Sequence, residues 1–150
     1  NYITRAETIK ILNKVIPYLY NNKGSYAAEE INGNVLINSE GVVLANTVVN
    51  GDLFLAPGIK DGDVTLDGVN VKGVVYVNGG GSDSVHLINT KLNRIIVNKK
   101  GDEEVRIVTS GSSSIGSIVV KSGVKLEEKD LDADGFNEVI VDSGLSAGRK

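Results

Sequence analysis

From Asn34 onward the chain alternates short apolar runs with polar interruptions. Val, Ile and Leu take every second position, and clusters of Gly, Asn, Asp and Ser break the runs. Such alternation predicts half-buried β-strands separated by turns. Residues 1–20 follow another pattern. Ile9, Leu12, Ile16 and Leu19 recur at helical spacing, and Thr4-Arg5-Ala6-Glu7 has the form of a capping box. There the Thr hydroxyl and the Glu carboxylate satisfy amides of the first helical turn. Pro17 stops or kinks this helix near Val15, because it lacks an N–H and clashes with the preceding turn. A helix this short is marginal alone in water, so its apolar stripe is expected to dock on the rest of the chain. Residues 21–33, with Asn21-Asn22-Lys23-Gly24-Ser25, read as a polar connector.

The strands repeat. Val49, Val71, Leu92, Ile115 and Phe136 open equivalent segments spaced 22, 21, 23 and 21 residues apart. A column precedes them (Val42, Val64, Val85, Val105, Val124), and a further one runs two residues on (Leu44, Leu66, Leu87, Ile107, Leu126). After each turn come Val74, Ile95, Ile118 and Val139, then Tyr76, Val97, Val120 and Val141. Each unit offers three strands, as in Val64–Leu66, Val69–Val71 and Val74–Val77, with turns at Asp67-Gly68 and Lys72-Gly73. A three-faced coil of parallel strands accounts for the repeat, since a rung cannot bury its apolar face alone but a stack of rungs can. The fold expected is all-β, a right-handed parallel β-helix of about five rungs, with an N-terminal capping α-helix; the hand follows the crossover rule. An antiparallel sandwich also suits short, regularly spaced strands, but it need not repeat its apolar residues in register. In the first rung Asp52 falls where others have Val or Ile, so Leu53 and Leu55 are expected to point inward after a bulge. The division expected is a capping helix over 1–20, a connector over 21–33 and the β-helix over 34–150. Ser143–Lys150 is too short and polar to cover a rung, so the solenoid is expected to continue beyond Lys150.

Composition narrows the chemistry. The chain has 150 residues, a net charge of -3, and no Cys, Met or Trp. Disulfides, zinc–thiolate sites and Cys nucleophiles are excluded. His86 is the one histidine; it alternates with Val85 and Leu87, so it faces solvent. The acidic balance and the lack of a Lys/Arg block argue against nucleic acid as a partner. No apolar run reaches the ~20 residues that insertion into a membrane needs. The absence of an initiating Met suggests a piece of a longer protein.

The sharpest local motif is Asp130-Leu131-Asp132-Ala133-Asp134-Gly135-Phe136-Asn137-Glu138. Alternate carboxylates converge where the chain turns sharply, and Gly135 permits the turn. Hard oxygen ligands in this number suit calcium. The expected ligands are Asp130, Asp132 and Asp134, the Phe136 carbonyl, and Glu138 or Asp142. Like charges so close repel without a cation. Its role would be to pin the last turn; the alternative is a solvated acidic turn. The pattern resembles the first half of an EF-hand loop, with Val141 rather than Glu at the twelfth position. Asp61, Asp63, Asp67 and Asp83 could line one edge of the solenoid, as in a β-helix lyase or hydrolase. Their placement follows turn chemistry, so no catalytic residue is assigned. Among the few aromatics, Phe54, Tyr76 and Phe136 lie in or near core columns, and Tyr18, Tyr20 and Tyr26 cluster at the junction with the helix. Sugar contacts would fall to those tyrosines or to outer polar residues such as Thr65, Asn70, Asn89, Thr109 and Ser117.

The stretch Asn1-Tyr2-Ile3-Thr4-Arg5-Ala6-Glu7 and the apolar helix after it resemble the closing half of an S-layer homology (SLH) motif. In that family the segment matching Thr4, Arg5, Ala6 and Glu7 takes part in anchoring to cell-wall polysaccharide. An SLH tail running into a small β-helix resembles the non-catalytic region of clostridial cell-surface β-1,3-glucanases (laminarinases), with a carbohydrate-binding module of family 54. The resemblance implies a secreted protein of a bacterial cell surface that binds insoluble glucan, xylan or chitin and is not itself an enzyme. A rigid spacer between anchor and catalytic domain is the other expectation.

Overall fold

A computed structural model of the chain describes residues 18–27, 30–101 and 103–142. In chain order the strands are β1 (Tyr18–Tyr20), β2 (Gly24–Ala27), β3 (Glu30–Ile31), β4 (Val35–Ile37), β5 (Val42–Ala45), β6 (Val48–Val49) and β7 (Leu53–Leu55). After a 3-10 turn at Pro57–Ile59 come β8 (Val64–Asp67), β9 (Asn70–Val77), β10 (His86–Ile88), β11 (Lys91–Val97), β12 (Val105–Gly111), β13 (Ser114–Val120), β14 (Val124–Leu131), β15 (Gly135–Phe136) and β16 (Val139–Val141). Every pairing is parallel, and the pairs make a ten-stranded and a six-stranded sheet. The fold is a parallel β-solenoid of about six turns.

Three faces recur in each coil. Face I carries β1, β4, β7, the second halves of β9, β11 and β13, and β16. Face II is the smaller sheet, β2, β5, β8, β10, β12 and β14. Face III carries β3, β6, the first halves of β9, β11 and β13, and β15. Like stacks on like through the core. On face I, Val35, Leu53, Val75, Ile95 and Ile118 form one column and Ile37, Leu55, Val77, Val97 and Val120 the next. On face III, Ile31, Val49, Val71, Leu92, Ile115 and Phe136 stack in register. The side chains from Ile31 to Leu92 in these columns are buried, at 2% exposure or less.

Several expectations change. The capping helix was expected over 1–20; residues 1–17, with Thr4, Arg5, Ala6 and Glu7, lie outside the described residues, and Tyr18–Tyr20 is a strand. Tyr18-Leu19-Tyr20 pairs residue for residue with Val35-Leu36-Ile37. The stretch 21–33 is not a bare connector, because β2 and β3 complete a coil within it. The first two coils are shorter than the 21–23 residues of the later ones. Asn38 bonds to Asn21 across 17 residues and Asn50 to Asn32 across 18. The first face I column contains Val75, not the expected Val74, and the second contains Val77, not Tyr76. The register of β9 against β11 shifts between Leu92 and Arg94, where Lys72 and Gly73 oppose the single residue Asn93. Leu87 faces Thr109 rather than Ile107 on face II. Leu53 and Leu55 do point inward, but without the expected bulge, since β6 and β7 meet β9 in step at Val49–Val71 and Leu53–Val75.

Corners need special backbone. At the turn from face II to face III, Asn46, Gly68 and Asn89 have φ of 47°, 69° and 47°, the left-handed region that Gly and Asn tolerate. Beside it runs a buried hydroxyl ladder. The single Thr90 hydroxyl proton is shared between the carbonyls of Leu66 and Ile88, and that of Ser113 between those of Leu87 and Ser110. The hydroxyls add a second partner to carbonyls at the corner, since the Ile88 and Ser110 oxygens also accept the Gly68 and Asn89 N–H groups. At the crease between faces III and I the chain passes close to itself. A Cβ on Gly73 would sit 2.6 Å from the Gly51 carbonyl oxygen, and one on Gly51 would sit 2.5 Å from that of Gly33. Gly73→Ala is therefore expected to cost about 1–3 kcal/mol, the range of an overpacked site. By the scaling for ~150 residues the melting temperature falls by roughly 2–12 °C. Circular dichroism melts measure this, with the exposed Ser25→Ala as an unchanged reference.

Candidate functional site

The acidic motif sits on the last coil. Asp130 follows the bulk of β14 with φ of 49°, and Asp132, Ala133 and Asp134 make the corner into β15. Asp130, Asp132 and Asp134 are exposed. Gly135, with φ of 63°, closes the corner. Phe136 is half-buried, stacks on Ile115, and packs against the core. Glu138 lies one corner further along, between β15 and β16, and Asp142 follows β16 at the next. The six expected ligands are thus spread over three corners of one coil. Among the described residues no group of three or more acidic or histidine side chains gathers as a metal set. A carboxylate the sequence reading missed does reach the first corner. Glu128 Oε1, from β14, accepts the Phe136 N–H at 3.0 Å. It lies eight residues from Phe136 in sequence, and strand pairing rather than spacing brings it there.

The three tyrosines are core-facing. Tyr18 pairs with Val35, Tyr20 with Ile37 and Tyr26 with Leu44. The rings of Tyr20 and Tyr26 meet with centroids 4.5 Å apart, and the Tyr26 hydroxyl donates to the Asn22 carbonyl at 2.7 Å. Tyr20 and Tyr26 pack against the core, and Tyr18 stays 40% exposed at the rim of the first coil. Tyr20 and Tyr26 fill the mouth of the first coil.

Two of the polar candidates, Asn89 and Thr109, bond within the coil. Asn89 is a corner residue whose Oδ1 accepts both the N–H and the hydroxyl of Ser112. Thr109 is buried, and its hydroxyl donates to the Glu127 carbonyl. Asn70 pairs between Val48 and Lys91 on face III. Thr65 and His86 are neighbours on the outer side of face II, and Ser117 stands beside Arg94. Asp61 forms an ion pair of 2.5 Å with Lys99, which also donates to the Gly80 carbonyl. Asp63, Asp67 and Asp83 do not gather with Asp61 into a cluster of acidic groups.

One feature of the outside of face I escaped the sequence reading. The register shift turns Tyr76 outward. It joins Leu19, Leu36, Phe54, Ile96, Val119 and Ile140 in an unbroken outer column, each residue paired with the next coil's. The Phe54 and Tyr76 rings stack with centroids 5.0 Å apart and planes 8° from parallel. That separation nearly equals the spacing of adjacent strands, about 4.7–4.9 Å, so each ring covers one face of the other. Leu19 is 56% and Ile140 39% exposed, and the residues between them are half-buried apart from the buried Val119.

No family model, curated protein or solved structure matches the chain.

The tyrosine mouth has a pH signature. Burial raises the hydroxyl pKa of Tyr20 above the usual 10.0, and the charges of Tyr18 and Tyr26 raise it further. A raised folded pKa means that the folded state holds this proton more tightly. Its contribution to stability is complete below the ordinary tyrosine value and is lost as pH rises through the folded one. Melting temperature is therefore expected to fall more steeply above a pH of about 10 in the wild type than in Tyr20→Phe. Parallel slopes for the two proteins would contradict this.

Proposed function

We propose that the chain is a non-catalytic polysaccharide-binding module of a bacterial cell-surface glycoside hydrolase. The coil is right-handed, by the crossover rule for parallel strands, and the segment Thr4–Glu7 is a remnant of a cell-wall anchoring motif. The observation that carries the reading is the outer column of face I. It offers a long, straight strip of apolar groups on a rigid scaffold, and long polymers are held best by rigid, repeated contacts. The direct experiment is co-sedimentation of the folded domain with insoluble β-1,3-glucan, xylan and chitin. Depletion from the supernatant on at least one of them is expected; none on any would overturn the reading.

A specific observation favours a second reading, a rigid spacer. Much of the polar surface is spent between coils, as in the bonds of Asn50 to Asn32, Asn93 to the Lys72 carbonyl and Asn78 to the Asn98 carbonyl. Six coils at the strand spacing of the fold make a rod of about 29 Å. The same sedimentation separates the two readings, since a spacer stays in solution.

A structural calcium completes the proposal. Its support is the corner of Asp130, Asp132 and Asp134, closed by Gly135 and approached by Glu128. A cation there offsets the repulsion of the carboxylates and ties β14 to β15. A ligand bound only by the native state raises its stability. The melting temperature is expected to rise with added calcium and to drop in EGTA, and the response should vanish in Asp132→Asn/Asp134→Asn. A melt identical in calcium and EGTA would remove calcium from the account.

A further inference from the structure

We propose that the outer column of face I is the glycan-contact surface, and that it takes one extended, neutral polysaccharide chain lying along the solenoid axis. This rests on the reading of the chain as a polysaccharide-binding module.

The outer column itself is uncharged, although Arg94 flanks it on the same face. Charged residues make up 23% of the sequence. Yet from Leu19 to Val119 the outer column is Leu, Leu, Phe, Tyr, Ile and Val, and the positions that close its strands are Asn21, Asn38, Ala56, Asn78 and Asn98. Charge enters that second strip only at Lys121 and Asp142, on the last coils. Beside the column, Arg94 and Lys121 are the cations that this face presents among the described residues, both on later coils, so most of the strip's length offers a polyanionic glycan no partner; a neutral one needs none.

The two strips also differ in chemistry in the way a sugar ring does. A pyranose has apolar C–H faces and an edge of hydroxyls. The column supplies methyl groups and ring edges. The neighbouring strip supplies primary amides, each with two donors and a carbonyl acceptor. Those amides are held in place by the coil. Asn38 Oδ1 accepts the Gly58 N–H at 2.9 Å, and Asn78 Nδ2 donates to the Asn98 carbonyl at 2.9 Å. Asn38 and Asn78 keep further hydrogen-bonding positions after these contacts. The repeat matches as well. Each coil advances by the strand spacing, about 4.7–4.9 Å, which is close to the length of one sugar unit in an extended chain. Like groups therefore recur along the strip at an interval comparable to that of an extended, β-1,4-type chain.

The stacking of Phe54 on Tyr76 sets the strength. Each ring's face is taken by its neighbour, so a sugar meets edges and methyl groups rather than an open ring face. The gain per coil is small, and retention comes from summing over successive coils on a long chain. Insoluble polymer is thus held and short oligosaccharide is not.

The test uses the full chain in sedimentation with insoluble β-1,3-glucan, xylan and chitin, with polygalacturonate gel as the charged arm. The variants are Tyr76→Lys and Ile96→Lys in the column. Val43→Lys, half-buried on the outside of face II, is the control. Melting curves accompany each, and Tyr76→Thr and Ile96→Thr replace any Lys variant that does not fold. The expected result is a loss of partition of about ten-fold or more in the column variants, with Val43→Lys near the wild type, and stronger retention on the neutral polymers. Unchanged binding in the column variants would overturn the proposal and leave the polysaccharide reading standing. Preference for polygalacturonate would overturn the neutral ligand. Failure of the wild type on all four polymers would overturn both the proposal and the reading beneath it. Sedimentation of the wild type as a dimer that Ile96→Lys dissociates would reassign the column to contact between two copies of this chain.

Discussion

Each coil of this solenoid depends on its neighbours to exclude water from its inward side chains. A single rung of three short strands has no opposing sheet of its own. Its Val, Ile and Leu side chains are dried by the coil before and the coil after, and its backbone amides find partners in the same two coils. Burial and hydrogen bonding are therefore satisfied together or not at all, and both demand register. The glycines at the crease, the left-handed Asn and Gly at the corner, and the buried Thr90 and Ser113 hydroxyls keep one coil directly above another. The ends show the same dependence. Tyr20 and Tyr26 fill the first mouth with large rings, whereas Val139 and Val141 on the last described coil stand 48% and 58% exposed.

That economy decides where function can lie. A tight coil consumes polar side chains at every corner. Asn89, Thr90, Thr109 and Ser113 carry hydroxyl and amide groups that would suit sugar recognition, and all four are occupied in holding turns. What the coil does not consume is the outward position at the centre of each face I strand. There the chain places an apolar residue in every coil, although nothing in the fold requires it to be apolar. On face II the equivalent outward column runs Ser25, Val43, Thr65, His86, Val108 and Glu127, so an unbroken apolar strip is a property of one face.

Much of the fold was legible because stacking repeats residue types. The face III column from Val49 to Phe136 and the pairs Val42–Val64 and Val105–Val124 can be read directly from spacing. The failures have local causes. An extra residue at Lys72-Gly73 slides β9 by one, so strict alternation assigns Tyr76 to the core when it faces out. This single slip hid the outer column. A longer β12 displaces Ile107 from Leu87. The first coils are shorter, and Tyr18-Leu19-Tyr20 can extend a helical stripe as well as begin a strand, so a coil was read as helix end and connector. At the acidic corner, spacing identified the turn of Asp130, Asp132 and Asp134. It could not show that Glu138 and Asp142 lie on other corners, or that Glu128 comes back across the turn, because both follow from the triangular path of the coil.

The claim on which the rest stands is that mutual burial by stacked coils, in this register, holds the molecule together. Amide hydrogen exchange on the intact chain tests it most directly. The account predicts the slowest exchange in β9 and β11, which have at least two coils on either side, intermediate rates in β4 and β5, which have a single described coil on their N-terminal side, and the fastest at β16. Rapid exchange in β9 and β11, or protection as high in β16 as at the centre, would contradict it.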